Sequence, residues 1–219
     1  GAEIAEVDAR ATRDGVVVLR HDEDIMLQSG EFVLVHELDY EELKELERKD
    51  RIAFEVRGER ITRIEEVFEI VRGRKGMLNI DVKGMPFIDA MLETIRESGF
   101  RENVMISGCE KEMAHYIRGR CPQINVLLNA DLEPYSFAPI TDENIGALYT
   151  TVLETGCSGI NLDYRNCSEE VISYFQIRHI PVSVWTVDTD EQMVNLLEVG
   201  AYSITTNRVS RLVELRGGS

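Results

Sequence analysis

The sequence predicts an α/β chain of the TIM-type (β/α) barrel class, with seven of the eight βα units of such a barrel in view and a small excursion after the first strand. Three observations predict it. Short β-branched runs alternate with longer stretches of helical period, which is the pattern of βαβ units on a parallel sheet. A length of 219 residues with 43% apolar content suffices for one substantial core, so residues 1–219 read as a single domain. The alternation is broken only once, and the excursion it marks falls within residues 12–62.

Taken in order, the first strand runs from Glu3 to Asp8. About seventy residues then pass before the next strand, far more than an ordinary βα connection. Within them Thr12-Arg13-Asp14-Gly15 reads as a turn into the apolar run Val16-Val17-Val18-Leu19, and Ser29-Gly30 breaks the chain before Phe32 to Leu38. The expectation is a hairpin-like excursion at the barrel rim, closed by helices over Asp39 to Lys49 and Arg63 to Arg72. The remaining strands are Met77 to Lys83, Asn103 to Ser107, Ile124 to Asn129, Gly159 to Asp163, Pro181 to Val187 and Tyr202 to Thr206. Their helices are Pro86 to Ser98, Glu110 to Arg118, Asp142 to Glu154, Ser168 to Arg178, Glu191 to Val199 and Arg208 to Leu215. Thr141-Asp142-Glu143, Ser168-Glu169-Glu170 and Asp188-Thr189-Asp190-Glu191 place cap acceptors and negative charge at helix starts. Arg216-Gly217-Gly218-Ser219 reads as a frayed or engineered tail. A closed barrel of this kind has eight parallel strands, so the first strand and helix are expected to be lacking and the open sheet edges make a homo-oligomer a candidate state.

A formal charge of −16 repels nucleic acid and anionic headgroups. The basic residues that exist are interleaved with acids, as from Glu41 to Lys49, which is a solvated helix face. Cys109, Cys121, Cys157 and Cys167 lack CxxC spacing and point to a reducing compartment, hence a cytoplasmic location. No apolar run approaches the ~20 residues of a membrane span. The chain opens on Gly1-Ala2-Glu3-Ile4, and a leader removed before that point would leave no trace.

Side chains two apart on a strand share a face. Ile4, Glu6 and Asp8 therefore point into the barrel while Ala5 and Val7 pack on helices, and Asn79, Asp81 and Lys83 point inward opposite Leu78, Ile80 and Val82. Three inward carboxylates repel one another unless a cation sits among them. Hard oxygen donors without thiolate or imidazole favour Mg²⁺ or Ca²⁺ over zinc, and the alternative is a salt-bridge network on Lys83. His21 follows on the same side, with Asp22 either orienting its ring or beginning the next turn; a lone histidine is more often structural than catalytic.

The run Glu6-Val7-Asp8-Ala9-Arg10-Ala11-Thr12-Arg13-Asp14-Gly15-Val16-Val17-Val18-Leu19-Arg20-His21-Asp22 closely resembles the signature of glycerophosphodiester phosphodiesterases, in which a Glu-x-Asp strand leads through Thr-x-Asp-Gly to His-Asp. Ile64-Glu65-Glu66-Val67, Asn79-Ile80-Asp81-Val82-Lys83, Val184-Trp185-Thr186-Val187-Asp188 and Gly200 to Asn207 are similar to further family segments. The resemblance implies metal-dependent hydrolysis of a glycerophosphodiester to glycerol 3-phosphate and an alcohol. It implies that Glu6, Asp8 and Asp81 hold Mg²⁺ or Ca²⁺, that Lys83 neutralises substrate phosphate, that His21 exchanges protons, and that Trp185 lines the glycerol pocket, unless Trp185 is plain packing.

The family's His-Arg-Gly and Pro-Glu-Asn-Thr segments do not occur in the sequence, and His36, His115 and His179 do not fit the first histidine's role. A piece of a chain longer by roughly thirty residues is expected, or a catalytically impaired barrel that binds phosphodiesters without turnover. A related sphingomyelinase or phospholipase D-like barrel is a further alternative, disfavoured by the cysteine spacing. Asp81 stands for the family's Glu and Asp188 for its Asn.

Overall fold

A computed structural model describes residues 1–54, 58–130 and 140–217, without the side chains of Asp142 and Glu143. Residues 55–57 of the expected excursion, the side-chain part of the Asp142-Glu143 cap and the last two residues of the expected tail lie outside the described residues. The chain groups into two compact units, Glu6–Val104 and Gly1–Ala5 with Met105–Ser219.

In the first of these, β1 (Ile4–Ala11) pairs antiparallel with β2 (Val17–Leu19), with Arg10 opposite Val18. The turn between them closes through Gly15 N–H to Thr12 O at 2.9 Å, and Gly15 takes a φ of +82° that a side chain would strain. The Thr12-Arg13-Asp14-Gly15 turn thus leads into a strand, Val17–Leu19, that folds back on β1 as an antiparallel hairpin and joins the main sheet. A second hairpin joins β3 (Asp24–Met26) to β4 (Phe32–Leu34) across Ser29-Gly30. A 3₁₀ turn (Val35–Glu37) shortens the expected Phe32 to Leu38 run.

Asp39 then caps α1 (Tyr40–Arg48), its own N–H donating to Glu42 Oε2 at 2.8 Å. Tyr40, Leu43 and Leu46 recur at helical spacing on one face. That face joins Val18, Ile25, Val35, Ile52 and Ile61 in a separate small core. After α2 (Ile64–Val71), β5 (Met77–Val82) lies beside β1, and α3 (Ile88–Ser98) follows. Leu78, Ile80 and Val82 are buried, as the alternation requires.

Ala5 departs from expectation: it is exposed, and Val7 is only half-buried. β2 pairs with residues 9–11 of β1, and Ala5 and Val7 lie ahead of that pairing.

The second unit is a parallel βα succession: β6 (Val104–Cys109), α4 (Lys111–Arg120), β7 (Asn125–Asn129), α5 (Asp142–Thr155), β8 (Gly159–Asp163), α6 (Glu169–Gln176), β9 (Val182–Trp185), α7 (Asp190–Glu198), β10 (Ser203–Ile204) and α8 (Val209–Gly217). Its strands pair in sequence order. Ser168 and Thr189 accept from the N–H groups of Val171 and Gln192, and Thr141 caps α5 with its N–H donating to Asn144 Oδ1 at 2.7 Å, so all three expected caps form. β8 is buried throughout, the condition of a strand covered on both faces. It begins at Gly159, where a Cβ would stand 2.7 Å from Pro181 O. Arg216 and Gly217 are not a frayed tail: they end α8, and Arg216 Nη1 pairs with Glu3 Oε1 at 2.7 Å.

Candidate functional site

Three side chains leave β1 on one face at two-residue steps: Glu6, Asp8 and Arg10. Asp81 leaves β5, and Lys83 follows just past its end. One carboxylate oxygen from each of Glu6, Asp8 and Asp81 lies within 4.8 Å of the other two. Lys83 Nζ stands 2.8 Å from Asp8 Oδ1 and 3.1 Å from Asp81 Oδ2. The acids thus converge as the alternation places them, and Lys83 pairs with two of them.

Charge decides what the cluster can hold. Glu6 is the most exposed of the three acids, yet desolvation of its carboxyl group, with Asp8 and Asp81 close by, raises its pKa to about 7. Burial likewise pushes the Asp81 carboxyl above the usual range, with Lys83 countering part of the effect. Burial works against the charge on Lys83, but Asp81 and Asp8 outweigh it and hold its pKa above the ordinary lysine value. One lysine does not balance three carboxylates. Among the described residues the buried Oδ1 of Asp81 has no hydrogen-bond partner, and neither has Oδ1 of Asn79 one position pair earlier on the same face. A hard-oxygen donor set with an orphaned buried carboxylate oxygen fits a hard dication, by which both the repulsion and the orphan would be relieved.

His21 stands where the β1–β2 ladder runs out, one residue after Arg20 N–H donates to Asp8 O at 3.0 Å. Its ring is exposed, and Nδ1 is 2.7 Å from Asp22 Oδ1. Asp22 thus meets the ring, and this hydrogen bond holds its carboxyl below the ordinary range. The charge of His21 is felt by Glu6 and by Asp81, whose pKa values it lowers. His36 instead tilts against the Phe87 ring at 6.1 Å, His115 lies in α4, and His179 follows α6 with a φ of +57°. None of the three joins the acid group among the described residues.

Trp185 ends β9 in the other unit, with its indole N–H buried and without a hydrogen-bond partner among the described residues. Sequence reasoning overlooked Arg10. Its Nε and Nη2 donate to His21 O at 3.0 and 2.9 Å, and its Nη1 donates to Lys83 O at 3.2 Å. The signal was available, because the alternation that groups Glu6 with Asp8 carries on to Arg10.

A model of the Glycerophosphoryl diester phosphodiesterase family matches residues 1–211. A glycerophosphodiester phosphodiesterase of Caldanaerobacter subterraneus subsp. tengcongensis is 26% identical over 228 residues, covering 100% of this chain and 88% of its own. The crystal structure of a glycerophosphodiester phosphodiesterase from Thermotoga maritima superposes with a TM-score of 0.73 at 25% identity, covering 96% of this chain and 84% of that one. An Oleispira antarctica phosphodiesterase, solved in complex with the product sn-glycerol-3-phosphate, superposes with a TM-score of 0.78 at 15% identity, covering 98% and 85%. These likenesses give the chain the fold of those phosphodiesterases, and the TIM-type (β/α) class predicted from the sequence holds.

Proposed function

The chain belongs to the glycerophosphoryl diester phosphodiesterase family, a family of phosphoric diester hydrolases, and from that premise we propose that it hydrolyses glycerophosphodiesters to glycerol 3-phosphate and a free alcohol with the help of a divalent metal ion. The observation that carries the reading is the meeting of Glu6, Asp8 and Asp81 oxygens within 4.8 Å beside Lys83. The product held by the Oleispira antarctica structure supports glycerol 3-phosphate as the retained half.

In this reading Glu6, Asp8 and Asp81 hold Mg²⁺ or Ca²⁺. The chemistry such an ion supplies is Lewis-acid stabilisation of charge on the phosphoryl oxygens. Lys83 spends two of its three N–H donors on Asp8 and Asp81 and has one left for a phosphoryl oxygen. With Nδ1 of His21 held by Asp22, Nε2 is the nitrogen that exchanges a proton. A water oxygen forms a new bond to phosphorus and gives its proton up to solvent, the ester P–O bond to the alcohol breaks, the leaving alkoxide takes the proton of the His21 imidazolium, and solvent returns a proton to His21. The buried indole N–H of Trp185 is a donor without a partner among the described residues, which supports its assignment to glycerol contact.

No described helix is long and apolar enough to cross a membrane. Cys121, Cys157 and Cys167 form no disulfide among the described residues, which supports a cytoplasmic setting. The strand order ends on β2, and that edge supports the homo-oligomer reading.

The test is release of choline and glycerol 3-phosphate from glycerophosphocholine in Mg²⁺ or Ca²⁺, with EDTA, Asp81→Ala and His21→Ala as controls. Each control should lower turnover by at least about 10². Choline release from sphingomyelin alone would move the assignment to the related lipid-cleaving barrels. Phosphodiester binding with no turnover under any metal would replace the enzyme reading with a binding one.

A further inference from the structure

We propose that Arg10 is a positioning residue, a three-pronged clamp that holds the backbone of His21 and the end of the Lys83 strand in one fixed relation to the acids. The inference rests on the reading of His21 and Lys83 given above.

Arg10 is two residues past Asp8 on the same face of β1, so its stem starts beside the acid cluster and its head reaches beyond it. Two of its N–H donors converge on the His21 carbonyl and a third goes to the Lys83 carbonyl. Those two carbonyls belong to segments far apart in sequence, and the Arg10 side chain spans them. The group is half-buried, and desolvation holds its pKa below the usual arginine value, with Glu23, Asp22, Asp8 and Asp24 acting in the opposite sense. Burying part of a guanidinium is costly unless its donors are used, and here they are used on backbone oxygens whose positions matter.

The clamp answers a specific need. His21 is the residue at which the β1–β2 ladder stops, its ring is 71% exposed, and Asp22 beside it is 59% exposed. An exposed ring held only by an exposed neighbour samples many rotamers. Fixing the carbonyl of His21 removes the backbone part of that freedom. The fork geometry is the essential property, because an ammonium carries charge to the same place but does not bridge two carbonyls in one plane. A displacement of about 1 Å at an acid–base group costs on the order of 10²-fold in turnover.

The experiment compares the wild type with Arg10→Met and Arg10→Lys in the full chain. Three readouts are taken: thermal melting, the split between kcat and KM on glycerophosphocholine with Mg²⁺ or Ca²⁺, and long-range ¹H–¹⁵N spectra of the His21 imidazole. The expected result is a folded Arg10→Met protein whose kcat falls by roughly 10- to 100-fold with KM changed less than about threefold. Its His21 signals shift toward those of a free exposed imidazole. Arg10→Lys should share the defect; recovery of wild-type kcat by lysine would assign Arg10 to charge alone and overturn the clamp. A native His21 spectrum in either folded variant would overturn it too, whatever the activity. Turnover that survives His21→Ala would instead defeat the functional reading, while the imidazole spectra still decide the clamp.

Discussion

Lys83 Nζ lies 2.8 Å from Asp8 Oδ1, so a side chain just past the end of β5 ties itself to a carboxylate of β1. The same ammonium reaches Asp81 at 3.1 Å, and the three side chains are 20%, 29% and 21% exposed. Pairs so sheltered are worth more than surface pairs, because removing one partner leaves the others' charge uncompensated.

Lys83→Met should therefore destabilise the metal-free protein at neutral pH by about 1–3 kcal/mol. Saturating Mg²⁺ or Ca²⁺ should recover much of the loss, since the cation takes over the lysine's electrostatic role. Urea denaturation with and without the ion measures both terms. An unchanged midpoint in the metal-free variant would show that the network contributes nothing to folding.

Asp81→Asn keeps the shape of the side chain and removes the charge beneath its orphaned Oδ1. Calorimetric titration of the metal-free protein should show at least about a tenfold loss of divalent-ion affinity. Equal affinity in the two proteins would exclude Asp81 as a ligand.

The pH dependence follows from Glu6, whose pKa rises from 4.5 to about 7 on folding. The folded chain binds this proton more tightly than the unfolded one, so the contribution is fully present below about pH 4.5 and is lost as pH rises through about 7. Asp81, also raised, acts with the same sign. In the metal-free protein the melting temperature of wild type relative to Glu6→Gln should fall across that window. Metal affinity should rise across it, because the ion competes with the proton. A difference curve that climbs with pH would contradict the assignment.

Gly159→Ala would set a methyl group 2.7 Å from Pro181 O and 3.2 Å from Leu127 Cδ2, against backbone that has no free space to give. We expect a loss of about 1–3 kcal/mol in stability with metal affinity at the acid cluster unaltered. A melting temperature at or above wild type would show that β8 and β9 part easily.

Elements with a strong period were legible in the sequence. Leu78-Asn79-Ile80-Asp81-Val82 states its two faces by strict alternation, and β8 matches its expected bounds, Gly159–Asp163, because a short apolar run closed by a glycine and an aspartate has no other good conformation. The caps at Ser168 and Thr189 are local hydrogen bonds, so local sequence suffices for them. The family signature from Glu6 to Asp22 was legible for the same reason, being a continuous run of residues.

What lay beyond local pattern was left to the tertiary structure. The bridge between Val18 and Arg63 joins segments far apart in sequence, and no local pattern announces it. Ala5 is exposed although the alternation assigns it to the helix side, because period says which face a residue takes and not what packs there. Sequence alone settled which residues share a face: Glu6 and Asp8 on one strand, Asn79, Asp81 and Lys83 along the other. Only the folded chain decided that the two acid sets meet within 4.8 Å and that the Arg10 fork closes on the carbonyls of His21 and Lys83. Periodicity is carried by each strand alone, whereas register and reach depend on two segments at once.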